Sequence, residues 1–247
     1  NLFFKIITPR FFGISDIPIY FKDSQIADIK IDLKKKLIGK NTKIILSHHR
    51  DYDFYLKYKN DNAEKYSTDA VYLDQNVGFH NDIRKIEIMD PHEWYKSLEI
   101  FFNFLKKKYL INTTICAHPR SNGEINEFVS GYPIIKNKTA QLIKNCSFVM
   151  LGSSTALNFA VLFNKPMVFI YNHIVLKNKK SQLNHPSDID FIAGSFNKKP
   201  INLENLNDFN LEKELKIDQN NYKDYIIKYI NSWDSKKRQS EMIMELL

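Results

Sequence analysis

The residues best suited to chemistry lie between Thr113 and Tyr171. An apolar run, Thr113-Thr114-Ile115-Cys116-Ala117, ends in His118-Pro119-Arg120. About thirty-five residues further on, Gly152-Ser153-Ser154-Thr155 follows a second apolar run. An imidazole and a guanidinium at one strand end, with a glycine and three hydroxyls at another, are groups that hold an anion. Pro119 keeps His118 out of helical angles, so its ring is carried on an extended turn. Gly152 lets the backbone approach a ligand, and Ser153, Ser154 and Thr155 stand where a helix carrying Leu157, Ala160 and Val161 should begin. Free amides and the helix dipole there attract negative charge. Plain capping explains the hydroxyls equally well when they are taken alone. With His118-Pro119 on the neighbouring strand end, phosphate becomes the preferred ligand.

Further candidates follow other strand-like runs. Asp74-Gln75 comes directly after Ala70-Val71-Tyr72-Leu73, and the polar loop beyond it includes His80. His48-His49-Arg50-Asp51-Tyr52-Asp53 comes directly after Lys43 to Ser47. Loops at strand ends carry chemistry in α/β sheets, although a solvated loop is the ordinary alternative for the histidine pair. Adjacent His48 and His49 cannot both face one ion from a strand or helix. No third ligand stands close in sequence, so no metal site is expected.

These groups need a frame, and the pattern supplies one. Strands are expected at Leu2 to Ile7, Lys43 to Ser47, Ala70 to Leu73, Thr113 to Ala117, Pro133 to Ile135, Ser147 to Leu151 and Lys165 to Ile170. Between them fall helices: Ile29, Leu33 and Leu37 mark one within Ile26 to Ile38, and another runs from Thr139 to Lys144. The firmest helix start is Asp90-Pro91-His92-Glu93, an N-cap, a proline at the first helical position and a capping-box glutamate. Behind it, Trp94, Leu98, Phe101, Phe102, Leu105 and Tyr109 form a core stripe. Pro186, Gly194 and Pro200 break Ser181 to Phe209 into loop, and Tyr222 to Trp233 regains helical spacing before the basic Lys236-Lys237-Arg238. Alternating strand and helix argue for a parallel α/β sheet with right-handed crossovers. A boundary at 67/68 separates a first unit from a C-terminal Rossmann-like one.

Composition narrows the partners less than it narrows the compartment. Lys and Arg number 36 against 28 acids, a net charge of +8. The excess suits an anionic partner, but a chain rich in Lys, Asn and Ile carries it in any case. No interleaving of aromatic and basic residues of an RNA-binding type occurs, so nucleic acid is not expected. Cys116 and Cys146 sit in apolar runs as core thiols, and a cytoplasmic protein is expected. The charge-free stretch Asn145 to Asn164 reads as a buried strand and crossover helix, because Gly152 to Thr155 interrupt it.

A strand ending in His118-Pro119, then Ser153-Ser154-Thr155 and the Lys165-Pro166 strand, resembles the C-terminal half of GT-B glycosyltransferases that use CMP-activated donors: bacterial sialyltransferases and Kdo or other nonulosonic-acid transferases. CDP-glycerol transferases carry a similar pair. The likeness covers roughly Asp69 to Tyr171. It implies two Rossmann-like units, the first of them short or truncated, and a CMP-activated sugar as donor substrate with no cofactor. A bacterial surface glycan or glycolipid is the implied acceptor, with association to the inner membrane face.

By that resemblance, His118 meets the donor phosphate and serves as general acid, and Ser153 and Ser154 bind the same phosphate. Pro119, Arg120, Gly152 and Thr155 complete the donor site. The family's general base lies in an acidic pair followed by glycine, and this chain has no such triplet. Asp74 takes its place as first choice, because Asp74-Gln75 resembles the Asp-Gln that follows a strand in capsule Kdo transferases. His48, His49, Asp51, Asp53, Gln75 and His80 are acceptor-side candidates. A single phosphate needs no bridging cation, so metal independence is expected. The alternatives are a CDP-glycerol or CDP-ribitol phosphotransferase and a non-catalytic nucleotide-binding protein.

Overall fold

The computed structural model describes residues 19–22, 42–61, 67–77, 79, 90–172 and 186–245. The expected strand at Leu2 to Ile7, the helix at Ile26 to Ile38 and the candidate His80 lie outside these residues. The chain forms two compact units, Asn1–Leu56 with Lys223–Leu247, and Lys57–Tyr222. In the first unit β1 (Ile19–Lys22) pairs parallel with β2 (Lys43–Leu46). Helix α1 (Arg50–Tyr58) begins three residues after β2 ends, with Asp51 and Asp53 in its first turn, where the helix dipole favours acids. Four of the six residues His48 to Asp53, expected to be a loop, are therefore helical.

The second unit holds β3 (Thr68–Leu73), β4 (Thr113–Ala117), β5 (Ile134–Lys136), β6 (Cys146–Leu151), β7 (Met167–Tyr171) and β8 (Ile201–Asn202). Each strand pair is parallel, and the order across the sheet is β5-β4-β3-β6-β7-β8. Counted from β3, that is 3-2-1-4-5-6, the doubly wound order of a Rossmann fold. Both faces are covered, so all five residues of β4 are buried and its sequence shows no alternation.

One face packs on α2 (Pro91–Tyr109). Asp90 caps it, its carboxylate accepting the His92 N–H at 2.9 Å, and Pro91 spends no hydrogen bond in the first turn. Trp94, Tyr95, Leu98, Phe101, Phe102 and Leu105 form its buried stripe, meeting Ala70, Tyr72, Ile115, Phe148, Met150, Val168 and Ile170 of the sheet. On the other face, α3 (Thr139–Asn145) bonds to β4 through Thr139 Oγ1 and Cys116 Sγ, 3.3 Å apart. Helices α4 (Leu157–Leu162) and α5 (Pro186–Gly194) complete that layer, where Phe196 stacks on Phe169 with ring centroids 6.1 Å apart. Burial pushes the Cys116 thiol up to about 11 and that of Cys146 to about 12, so both are core groups rather than nucleophiles.

Helix α5 corrects the loop expected from Ser181 to Phe209. Pro186 begins the helix instead of breaking it, and Gly194 is its last residue. Beyond α6 (Leu211–Glu214), α7 (Gln219–Tyr225) runs into a π-helical turn at Ile226–Ile230, and α8 (Gln239–Met244) follows. The tail belongs to the first unit, whereas the boundary at 67/68 assigned it to the second. The reason is hydrogen bonding: His49 N–H donates to Ile230 O at 2.6 Å, Gln239 N–H to Asp53 Oδ1 at 2.9 Å and Gln239 Nε2 to His48 O at 2.9 Å.

Six described non-glycine residues have left-handed backbone. Five are Asn or Asp, and the sixth is Leu110, which closes α2 with φ 59°. Its N–H donates to Leu105 O and Lys106 O, a closure that normally uses glycine. Leu110→Gly should therefore stabilise the protein by about 1 kcal/mol, roughly 2–4 °C in Tm, read by calorimetry.

Candidate functional site

In a doubly wound sheet the ligand crevice opens beyond the carboxyl ends of the strands where the order reverses, here between β3 and β6. Asp74-Gln75 follows β3, Gly152-Ser153 follows β6, and His118 follows β4 on the far side of β3. The sequence reading makes β4 and β6 neighbours. They are not, because β3 lies between them, and their ends are separated by two strand spacings, about 10 Å. Asp74 stands in the middle. Gln75 Nε2 donates to Ser153 O at 2.7 Å, joining the two strand ends that flank the crevice.

His118 sits at the start of a tight turn, closed by the Ser121 N–H donating to His118 O at 2.9 Å. Pro119 occupies the second position of that turn, which its fixed φ suits. The Arg120 N–H donates to His118 Nδ1 at 3.1 Å. A nitrogen that accepts carries no proton, so the neutral ring has its proton on Nε2 and presents a donor there. A doubly protonated ring, which the general-acid role implied by the resemblance would need, would lose the Arg120 bond. Arg120 itself is exposed.

The turn is built from below. Ser121, 2% exposed, donates through Oγ to Glu124 Oε2 at 2.9 Å, and Lys136 Nζ donates to Ser121 O at 2.6 Å. Lys136 ends β5, directly beside Ala117 in register. Sequence reasoning missed it, and its signal was a lysine closing a short apolar strand.

The hydroxyl segment departs from simple capping. The cap position of α4 is Ala156, and no side chain caps it. Ser154 Oγ accepts the Ala156 N–H at 3.3 Å, while the N–H groups of Leu157, Asn158 and Phe159 bond to the carbonyls of Ser154, Thr155 and Ala156. The first helical amides are thus occupied, so the free helix N-terminus expected there is absent. Among the described residues, the amides left without an acceptor lie one turn earlier, at Ser154 and Thr155.

Asp74 is 4% exposed. Tyr95 Oη donates to its Oδ1 at 3.0 Å, and its Oδ2 has no hydrogen-bond partner. Burial raises its pKa to about 6, with the Tyr95 hydroxyl and the nearby backbone amides of Asn76, His118 and Gln75 pulling the other way. Those amides favour the anion from nearby without bonding Oδ2. Tyr95 is a second residue missed in the sequence, concealed within the core stripe of α2. A strand-end carboxylate with a raised pKa is suited to acid–base work.

The acceptor-side candidates of the first unit are engaged locally. His48 is fully buried, with Nδ1 3.0 Å from His49 O and Nε2 3.0 Å from Lys237 O. Asp53 Oδ1 lies 3.5 Å from His48 Nε2. His49 Nδ1 accepts the Asp51 N–H at 3.2 Å. His48 and Asp53 therefore fasten the tail. Among the described residues no three His, Cys, Asp or Glu side chains gather as a metal site, and no helix is long and apolar enough to cross a membrane. A cavity of about 750 Å³ lies elsewhere, lined by Lys198, Lys199, Lys213, Lys216 and Glu214.

No protein-family model matches the chain, and no curated protein matches it. Among solved structures it is similar to the UDP-GlcNAc 2-epimerase of Methanocaldococcus jannaschii in complex with UDP-GlcNAc and UDP, with a TM-score of 0.50 and 17% identity. That likeness covers 93% of this chain and 60% of the epimerase. It is also similar to the family 9 glycosyl transferase of Veillonella parvula DSM 2008, with a TM-score of 0.33 and 13% identity over 91% of this chain and 61% of that one. The chain thus spans about three fifths of the length of each. The first likeness is one of fold, and the fold is a parallel α/β arrangement of the GT-B-like, Rossmann type.

Proposed function

We propose that this chain is a GT-B glycosyltransferase that moves a nonulosonic acid, such as sialic acid or Kdo, from its CMP-activated form to a glycan or glycolipid acceptor. The observation that carries the reading is the bond from Gln75 to Ser153 O, 2.7 Å, which closes the base of the crevice between β3 and β6. It holds the Ser153-Ser154-Thr155 turn beside Asp74, which follows β3, with His118 following the next strand, β4. Negative charge grows on the phosphate as CMP leaves. In this reading the His118 Nε2–H and the amides of Ser154 and Thr155 donate to that charge and bind it more strongly than the ground state. Asp74 takes the proton of the acceptor hydroxyl.

Thermal-shift measurements with CMP, CDP and UDP test the donor. CMP should stabilise the protein most, because a CMP-sugar donor leaves a single phosphate to be bound. UDP stabilisation without a CMP effect would overturn the assignment in favour of a UDP-sugar enzyme, the ligand class of the epimerase of similar fold. Turnover of a CDP-alditol but not of a CMP-sugar would favour the phosphotransferase reading. Transfer should also continue in excess EDTA, read as CMP release.

A further inference from the structure

We propose that the C-terminal end of α2, from Lys106 to Leu110, docks on an anionic lipid surface, with Leu110 as the side chain that enters the apolar layer. The inference is independent of the glycosyltransferase reading.

Leu110 is the outlier that motivates it. The left-handed closure of α2 needs a residue that tolerates φ 59°, and the other five described non-glycine residues in that conformation are Asn or Asp. Leucine is strained there, and at 82% exposure its side chain gains nothing from the core. The next residue, Ile111, makes the apolar contact that such a helix end usually needs. Folding therefore gives no reason for a leucine at this position.

Its neighbours supply the charge. Lys106, Lys107 and Lys108 are all exposed, and Lys108 Nζ lies 5.2 Å from the ring centres of both Phe104 and Tyr109. Ile100, 54% exposed, lines a shallow cleft with Asn103, Phe104, Lys107 and Lys108. Asp69 at this edge accepts both the N–H and the Nδ2 of Asn112, and a second carboxylate, the exposed Asp208, precedes Phe209, whose ring packs on Phe104 and Tyr109. Cations beside protruding aliphatic groups match a surface with anionic headgroups over an apolar layer. A single-stranded nucleic acid would instead need exposed aromatic platforms.

The sheet topology extends the same face. The end of α2 precedes β4, and Lys198-Lys199 precedes β8, so both lysine groups lie at the amino ends of one parallel sheet. Lys213 and Lys216 line the cavity with Lys198 and Lys199, four lysines against the two acids Glu214 and Asp218. The amino-end edge is thus basic at β4 and again at β8, four strand spacings or about 19 Å away. The carboxyl ends of the strands, where Asp74 and Ser153 lie, are at the opposite end of the sheet.

Flotation of the full chain with phosphatidylcholine vesicles, with and without phosphatidylglycerol, tests this. Binding should require phosphatidylglycerol. Changing Lys106, Lys107 and Lys108 together to Gln should weaken it about a hundredfold, at about fivefold per charge. Leu110→Gly should weaken it severalfold while raising Tm, so lost binding there is not lost folding. Equal binding to both vesicle types, or no binding to either, overturns the proposal. So does unchanged vesicle binding by Leu110→Gly, and an oligonucleotide bound equally well by that variant would mark the face as a general polyanion surface.

Discussion

Asp74→Asn should make the protein more stable and far less active. Burial holds the Asp74 carboxyl at about 6 against its ordinary 3.8, so the folded state binds that proton more tightly than the unfolded chain. Ionisation therefore costs stability as pH rises from about 4 through 6, and the full cost, about 3 kcal/mol, is present near pH 7.5. Asparagine keeps an acceptor for Tyr95 and carries no charge. Its advantage should be near zero at about pH 4 and full at about pH 7.5, measured as the difference in Tm between variant and parent. Activity moves the opposite way. A base must be ionised, so kcat/KM of the parent should rise through about pH 6, and the variant should lose about a hundredfold to ten-thousandfold. Full activity in Asp74→Asn would reduce Asp74 to a buried structural acid.

His118→Ala should lower kcat about a hundredfold to a thousandfold, the usual loss for one oriented donor to a developing charge. His118→Gln discriminates between the two roles of the ring. With the Arg120 amide on Nδ1, what the ring offers is an Nε2–H donor, and the glutamine amide can replace that. Gln should therefore be clearly more active than Ala in CMP release. Equal loss in both variants would restore the general-acid role that the resemblance implied.

What was legible in the sequence was whatever depends on local pattern. Strand β4 begins and ends where its apolar run does, and Asp90-Pro91 marks the start of α2, because capping and burial are decided within a few residues. Strand order is decided by crossovers that pass over other strands, and no spacing between His118 and Ser153 reveals that β3 lies between them. Pro186 is ambiguous in sequence, since proline both breaks helices and begins them. Ser153 to Thr155 carry the composition of a cap, but the backbone turns one residue later, at Ala156, and that moved the open amides to Ser154 and Thr155. Asp74 was chosen for its neighbour Gln75. Its raised pKa and its bond to Tyr95 required the packing of α2 on β3.

A structure of the full chain with CMP bound tests the central claim most directly, because it locates one phosphorus atom. The phosphate should lie in the crevice between β3 and β6, with its oxygens within hydrogen-bond reach of His118 Nε2 and of the amides of Ser154 and Thr155. A phosphate bound instead in the lysine-lined cavity beside Lys198 and Lys213, with the crevice left empty, would contradict it.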